Sequence, residues 1–495
     1  MRAAYSVAQI RAAESAALSL LAEGTLMQRA AFALSVRCAE ILRSRRGRVR
    51  GTAVVVLAGS GSNGGDALFA AARLGRMGAS VIVVELGSAL HEGGRAAARQ
   101  AGARFIGESD PVAIAATLGA DLVLDGIVGI GGAAGLRGAA PELAAAALVG
   151  DGVVVAVDLP SGIDPNTGAA GDAAIQADVT VTFGVLKTGL LTGAGRTRAG
   201  VLDVVDIGLA PFLVDDEPVA LVAEVSDVDP FFAEPSGADY KYSRGVVQVI
   251  AGSEQYPGAG ILAVGGARSG PAGLIRVTTD AAAHVVGTYP DAVGAIGRVD
   301  AIVIGPGIGQ ADAARGRLEH AVGQSVPLVL DADALTLLAA QPEMLARRAA
   351  AGLATVLTPH EGEAVRLGVD PVLLRSDRYA AARWLAAKYG CVVVLKGPGT
   401  VVATPEGGPF FVDPAGDAAL ATAGTGDVLA GLIGSVLATE VGRGPLSHRH
   451  VALSAVAAAF VHGVAGRLAA AGDAPVRATD VVSALPRAVA ALRQA

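Results

Sequence analysis

At 495 residues the chain exceeds what one hydrophobic core ordinarily organises, so two to three domains are expected. Hydrophobic residues make up 52% and charged residues 17%, which excludes global disorder and provides ample material for buried cores. A formal net charge of -7 argues against non-specific nucleic-acid binding.

The chain opens with helical patterns over 7–21 and 26–41. The basic run 42–50 (LRSRRGRVR) reads as a solvated helix end. Residues 52–57 (TAVVVL) read as a fully buried strand that runs into Gly59-Ser60-Gly61-Ser62-Asn63-Gly64-Gly65-Asp66, with a helix following to about Met77. Apolar runs recur at 81–86, 121–124, 153–157 and 179–183, separated by helical patterns, which indicates a doubly wound parallel sheet. Near 206–239 four prolines fall among many acids and helical periodicity fades, as in a linker or an edge hairpin.

A second βα series starts at 246–250 and continues through 301–304, 328–330, 355–357 and 392–395, with helices expected at 375–388, 427–437 and 447–470. The stretch 451–466 is apolar but short, contains His462 and reads as a buried core helix rather than a membrane span. Cys38 and Cys391 are the only cysteines and form no metal or disulfide spacing, so a reducing cytoplasm is the expected location. Gln9, Arg11 and Glu14 interrupt any apolar leader.

Gly59 to Gly64 match GxGxxG after a strand and before a helix, and Glu85 ends the next strand. That is the pattern of a dinucleotide loop with an acid on a ribose hydroxyl; a purely structural turn is the alternative. Asp125, Asp158 and Lys187 fall at or after strand ends, where neighbouring strands share one crevice. Asn63, Asp125 and Ser161 offer oxygens to a hard cation, and Asp158 with Lys187 can form an acid/base pair.

These segments, with Phe183 to Gly189 and the opening helices, resemble the NAD(P)H-hydrate epimerase family. The resemblance implies that Ser62, Asn63, Gly64, Gly65 and Asp66, the loop Gly129-Ile130-Gly131-Gly132-Ala133-Ala134-Gly135, and Asp158 hold the hydrated dinucleotide. It also implies potassium on Asn63, Asp125 and Ser161. Ser62 stands where that family usually has Asn, and Ala67 where it has Gly.

In the second half, Ala421-Thr422-Ala423-Gly424-Thr425-Gly426-Asp427 leads straight into an apolar helix. Free N–H groups at such a terminus suit a phosphate, and Asp427 would project from the first turn as a base. An ordinary helix-terminal carboxylate is the alternative. Lys396-Gly397-Pro398-Gly399-Thr400 follows a strand and can meet phosphate. Glu363 can order Mg²⁺ through water, and His360 can donate to a ligand.

Together with the glycine loops at 252–260 and 305–309 and with Asp331-Ala332-Asp333, these segments resemble the ribokinase-like fold, and more closely the NAD(P)H-hydrate dehydratase family. The resemblance implies Asp427 as the base on the C6 hydroxyl of the hydrate, Gly424, Thr425 and Gly426 as an anion hole, and 396–400 as the ADP site. It places Ala259, Gly307 and His360 on the hydrated dinucleotide.

The expectation is thus two three-layer α/β/α domains. A Rossmann-like epimerase occupies 1–212 and a ribokinase-like ADP-dependent dehydratase 225–495. Hydrated NADH or NADPH and ADP are the expected small-molecule partners, with Mg²⁺ and K⁺ as cofactors, no nucleic acid, no membrane, and a homo-oligomeric assembly. A vitamin-precursor kinase is the alternative function, followed by an NAD-dependent dehydrogenase and a dinucleotide-sensing module.

Overall fold

The computed structural model describes residues 1–493 except 88, 295, 417, 473 and 474. The chain separates into two compact units, one of Ala3–Val219 and one of Ala220 onward together with Met1–Arg2.

The first unit is built on seven parallel strands. Their order is Arg104–Gly107, Ser80–Glu85, Ala53–Ala58, Leu122–Gly126, Val153–Val157, Val179–Phe183, Val201–Val205. Both faces are covered, and the central strand shows why its sequence is continuously apolar. Val54 and Val56 enter a cluster with Leu34, Leu68 and Leu74. Val55 and Leu57 enter another with Leu143 and Ala147 on the opposite face. Strand order reverses between Ala53–Ala58 and Leu122–Gly126, so the loops that leave these two strands bound a crevice. A separate parallel pair sets Tyr5 opposite Lys187.

Two glycines make the first loop possible. A Cβ on Gly59 would lie 1.9 Å from the Ile127 carbonyl oxygen, and one on Gly64 would lie 2.1 Å from the Gly59 oxygen. Gly61 meets nothing, so the tight strand-to-helix turn rests on the first and last glycines of the GxGxxG run.

The second unit has the strand order Leu274–Thr278, Val246–Ile250, Ala301–Ile304, Leu328–Leu330, Thr355–Leu357, Val392–Leu395, Thr400–Ala403, Phe410–Asp413, Ala220–Val222. Only Thr400–Ala403 runs antiparallel to its neighbours. Val247, Val249, Val303 and Val329 pack under the helices Pro257–Arg268, Thr425–Glu440, His448–Ala469 and Ala478–Leu492. Helices Asp312–Val322 and Arg378–Tyr389 pack on the strands Ala301–Ile304 and Val392–Leu395. Here the order reverses between Val246–Ile250 and Ala301–Ile304, which opens a second crevice.

The boundary between the two units, at Val219 and Ala220, falls inside the stretch 206–239 expected as a linker or edge hairpin. That stretch supplies the strand Ala220–Val222, parallel to Phe410–Asp413, and the short helix Val225–Val228. Three residues among prolines leave no readable alternation. Helix His448–Ala469 is long and apolar enough to cross a membrane, yet Val451, Ala455, Ala458 and Val461 lie wholly inside the core cluster of this unit.

Candidate active sites

In the second unit the ends of successive parallel strands bring three polar side chains together. Asp331 follows Leu328–Leu330, Thr358 follows Thr355–Leu357, and Lys396 follows Val392–Leu395. Lys396 Nζ donates to Asp331 Oδ1 at 2.7 Å and lies 3.8 Å from Glu363 Oε2, and Thr358 Oγ1 donates to Asp331 Oδ1 at 2.8 Å. Asp331 and Glu363 are buried. Burial opposes the charge of Lys396, but Asp331, Glu363 and Asp427 together raise its pKa, so it is a permanent cation.

Asp427 lies in the first turn of helix Thr425–Glu440, whose cap Gly424 has φ 90°. The helix begins two residues before the expected 427 because the chain turns through Gly424 and the Thr425 hydroxyl bonds back to the Leu420 and Thr422 carbonyls. Burial pushes the Asp427 carboxyl up to about 7, with Asp331 adding, Lys396 opposing, and Glu363 and Asp333 adding further. A carboxyl poised near neutrality beside free helix amides is suited to take a proton from an alcohol while the amides hold an anion.

The other expected residues fall around this centre. A Cβ on Gly307 would lie 2.7 Å from the Ala259 Cβ, so these two positions adjoin across the second crevice. The Gly309 amide donates to Asp333 Oδ2 at 2.9 Å, and Gly252 N donates to the Pro306 oxygen at 2.7 Å, which ties the loops together. His360 caps the short helix Glu361–Arg366. Its Nδ1 accepts from Gly362 N and Glu363 N, and Glu363 Oε2 accepts from His360 N at 2.8 Å. With Nδ1 accepting, the neutral imidazole carries its proton on Nε2, which is a donor.

The loop Lys396 to Thr400 is braced by Arg378, which sequence reasoning did not single out. Its guanidinium donates to the Lys396 carbonyl at 2.9 Å and pairs with Glu361. His462, within the apolar stretch 451–466, is buried, its Nε2 has no partner, and it meets the Thr425 backbone. Burial lowers its pKa to about 4. A motif scan has no signal for either residue, since both act from neighbouring helices. Asp331, by contrast, was visible as an acid at a strand end.

In the first unit Asp125 and Ser161 meet directly, and the Asn63 side chain lies against the loop at Gly129. Asp125 Oδ1 accepts from Ser161 Oγ at 2.6 Å, and Oδ2 accepts from Ser161 N at 2.8 Å. A Cβ on Gly129 would lie 3.1 Å from Asn63 Oδ1, which brings the 129–135 loop against the same group, and Gly135 N reaches the Gly162 oxygen at 2.9 Å. Burial raises the Asp125 carboxyl to about 6, with the Ser161 and Ile127 bonds opposing. A wholly buried carboxylate among neutral oxygens suits a bound monovalent cation.

Asp158 has φ 69°, one of two non-glycine residues with positive φ among those described. Its Oδ1 takes Lys187 Nζ at 2.5 Å, Thr182 Oγ1 at 3.2 Å and Phe183 N at 3.2 Å. Glu85, read as an acid for a ribose hydroxyl, has its Oε1 paired with Arg95 Nη2 at 2.7 Å.

Two α/β/α units, each with polar side chains gathered at the strand ends beside a topological switch point, define an enzyme with two nucleotide-type crevices in one chain. Comparison with known proteins narrows the class. A family model described as NAD(P)H-hydrate dehydratase matches residues 247–487, and one described as YjeF-related protein N-terminus matches 23–189. The bifunctional NAD(P)H-hydrate repair enzyme of Mycobacterium leprae (strain TN) is 42% identical over 99% of this chain and 100% of its own length. That of Escherichia coli (strain K12) is 34% identical over 88% of this chain and 84% of its own. A solved ADP/ATP-dependent NAD(P)H-hydrate dehydratase from Bacillus subtilis aligns with 56% of this chain and 100% of its own at 26% identity and a TM-score of 0.47. The chain belongs to the bifunctional NAD(P)H-hydrate repair enzymes.

Proposed function

We propose that this chain repairs hydrated NADH and NADPH in two steps. The first unit interconverts the R and S hydrates. The second uses ADP to phosphorylate the C6 hydroxyl of the S hydrate, after which phosphate leaves, giving NAD(P)H, AMP and phosphate. The observation that carries the reading is Asp427 held near neutrality in the first turn of a glycine-capped helix, beside Lys396. Hydroxide leaves carbon poorly and phosphate leaves well, and the ring nitrogen lone pair can expel it. Phosphoryl transfer asks the protein chiefly for positioning and charge neutralisation.

In this reading Asp427 takes the hydroxyl proton, and Gly424, Thr425 and Gly426 grip the moving phosphoryl group. Lys396 to Thr400 hold ADP. Ala259, Gly307 and the His360 Nε2–H face the hydrated nicotinamide. Mg²⁺ would be ordered by Glu363 through water and would neutralise the diphosphate.

In the first unit, Ser62 to Asp66 and the 129–135 loop hold the dinucleotide, and Asp158, fixed by Lys187, works at the stereocentre. Asn63, Asp125 and Ser161 would hold K⁺. Two buried free thiols suit a reducing cytoplasm. Phe32 and Val36 are exposed, as are Val201 and Val204 on an edge strand, which supports assembly as a homo-oligomer.

The test is recovery of reduced-nicotinamide absorbance from a mixture of both hydrates. Full recovery with ADP supports the reading, and recovery that stops at the S fraction removes the epimerase step. A kinase that phosphorylates an unrelated vitamin precursor and ignores the hydrates would replace it.

A further inference from the structure

Four charged side chains of the first unit act on one another: Glu14, Asp66, Asp158 and Lys187. Only one is a cation. Lys187 is 2% exposed and directs its ammonium at three acceptors, Asp158 Oδ1 at 2.5 Å, Thr182 Oγ1 at 3.0 Å and Phe183 O at 2.7 Å. An ammonium has three N–H donors, so none is left for a substrate, and its charge is matched by Asp158. Lys187 is therefore a fixed cation that positions Asp158.

Asp66 has no such partner. It lies on helix Ser62–Arg76, is 9% exposed, and its Oδ1 is fully buried without a hydrogen bond. An ionised carboxylate with a dry oxygen and no cation bonded to it is costly, so this group keeps its proton. Burial is the main cause, the neighbouring Asp158 and Glu14 reinforce it, and Lys187 opposes it. Glu14 is raised in the same sense, by burial and then Asp158, with Lys187 and Arg11 opposing.

We propose that Asp66 is the proton donor of the epimerase site, paired with Asp158, held by the Lys187 ammonium, as the acceptor. The proposal rests on the epimerase reading above. The C6 carbon of the hydrate bears its hydroxyl next to the ring nitrogen. Asp66 gives its proton to the hydroxyl oxygen, the C6–O bond breaks as the nitrogen lone pair forms C=N, and water leaves. Water then adds to the other face of C6, the C=N pair returns to nitrogen, and the proton released by the added water passes to Asp158. Asp66 is left ionised and Asp158 protonated. That pair serves the reverse epimerisation or resets by proton exchange with solvent. No oxidant or reductant is needed.

The test uses the full chain as wild type, Asp66→Asn and Asp66→Glu. The readout is clearance of the R hydrate of NADH with ADP present, less the spontaneous rate. Binding of NADH is measured by calorimetry. At saturating hydrate, Asp66→Asn should lower R clearance by at least about 100-fold, the loss expected for a missing general acid and beyond any weakening of NADH binding. Asp66→Glu should recover part of the rate. The wild-type catalysed rate should fall on the alkaline side as Asp66 loses its proton, which needs no variant. R clearance by Asp66→Asn at the wild-type rate overturns the proposal, and so does a deficit that disappears at saturating R hydrate, which would leave Asp66 a binding group alone. A wild-type protein that leaves the R hydrate untouched overturns the epimerase reading itself.

Discussion

Lys396 and Gly426 touch: a Cβ built on Gly426 would lie 3.0 Å from Lys396 Nζ, the same nitrogen that donates to Asp331 at 2.7 Å. The ammonium therefore sits directly under the first turn of helix Thr425–Glu440. It adds positive charge where that helix already presents free amides, and the missing side chain at 426 keeps the place open for an anion. Asp427 is one residue on. Open amides, a cation and a carboxyl thus share one turn.

Dehydration should depend on pH through Asp427. The base works only when ionised, and its pKa is pushed up to about 7. The rate with the S hydrate and ADP should therefore rise as pH increases through about 7 and then level off. A pH–rate profile flat from the acid side would contradict this.

The same group makes the free protein less stable as pH rises. The folded state holds the Asp427 proton up to about 7, whereas the unfolded chain releases it near 3.8, so stability falls across that interval. Asp427→Asn should lack this part of the slope and be more stable above neutrality by roughly 1–2 kcal/mol, as expected when a functional group is buried at a cost. Thermal melts of both proteins across the pH range give the comparison.

His462 behaves in the opposite sense. Its pKa is lowered to about 4 by burial, so the unfolded chain takes up a proton first as pH falls below 6.5. Stability should decline from there towards about 4. His462→Leu should flatten that acid decline. It should cost about 1–3 kcal/mol at neutral pH through the lost bond to the Thr425 backbone.

Potassium should stabilise the first unit. Asp125 is wholly buried and raised to about 6 with no cation of its own among the described side chains. Replacing sodium or choline by potassium should raise the melting temperature and the epimerisation rate. Asp125→Asn should abolish both responses. Equal melting in all three salts would remove potassium from the account.

Helix Thr425–Glu440 is aligned by close backbone packing along its first two turns. A Cβ on Gly431 would lie 2.0 Å from the Ala263 carbonyl oxygen, and one on Gly266 would lie 2.0 Å from the Val428 oxygen. The two backbones meet without side chains between them. Gly431→Ala should destabilise by about 1–3 kcal/mol through overpacking and lower dehydration without altering its pH profile.

How far the sequence could lead depended on the type of signal. Long apolar runs such as Val153–Val157 and Val392–Leu395 were readable because parallel strands are buried on both faces. The short strand Ala220–Val222 was not, because three residues carry no period. Glycine loops and strand-end acids marked where chemistry gathers, including Asp427, Asp158 and Asp125. Their partners were less legible. The approach of His462 to the Thr425 backbone and that of Arg378 to the Lys396 carbonyl are tertiary contacts between elements distant in sequence. Motif spacing cannot encode them.

The most direct measurement is AMP formation from ADP in the presence of purified S hydrate, comparing wild type with Asp427→Asn. The account predicts a loss of about 10²–10⁴ in the variant, the usual range for a missing general base, while its R and S hydrates still interconvert at the wild-type rate. AMP formation by Asp427→Asn at the wild-type rate would contradict it.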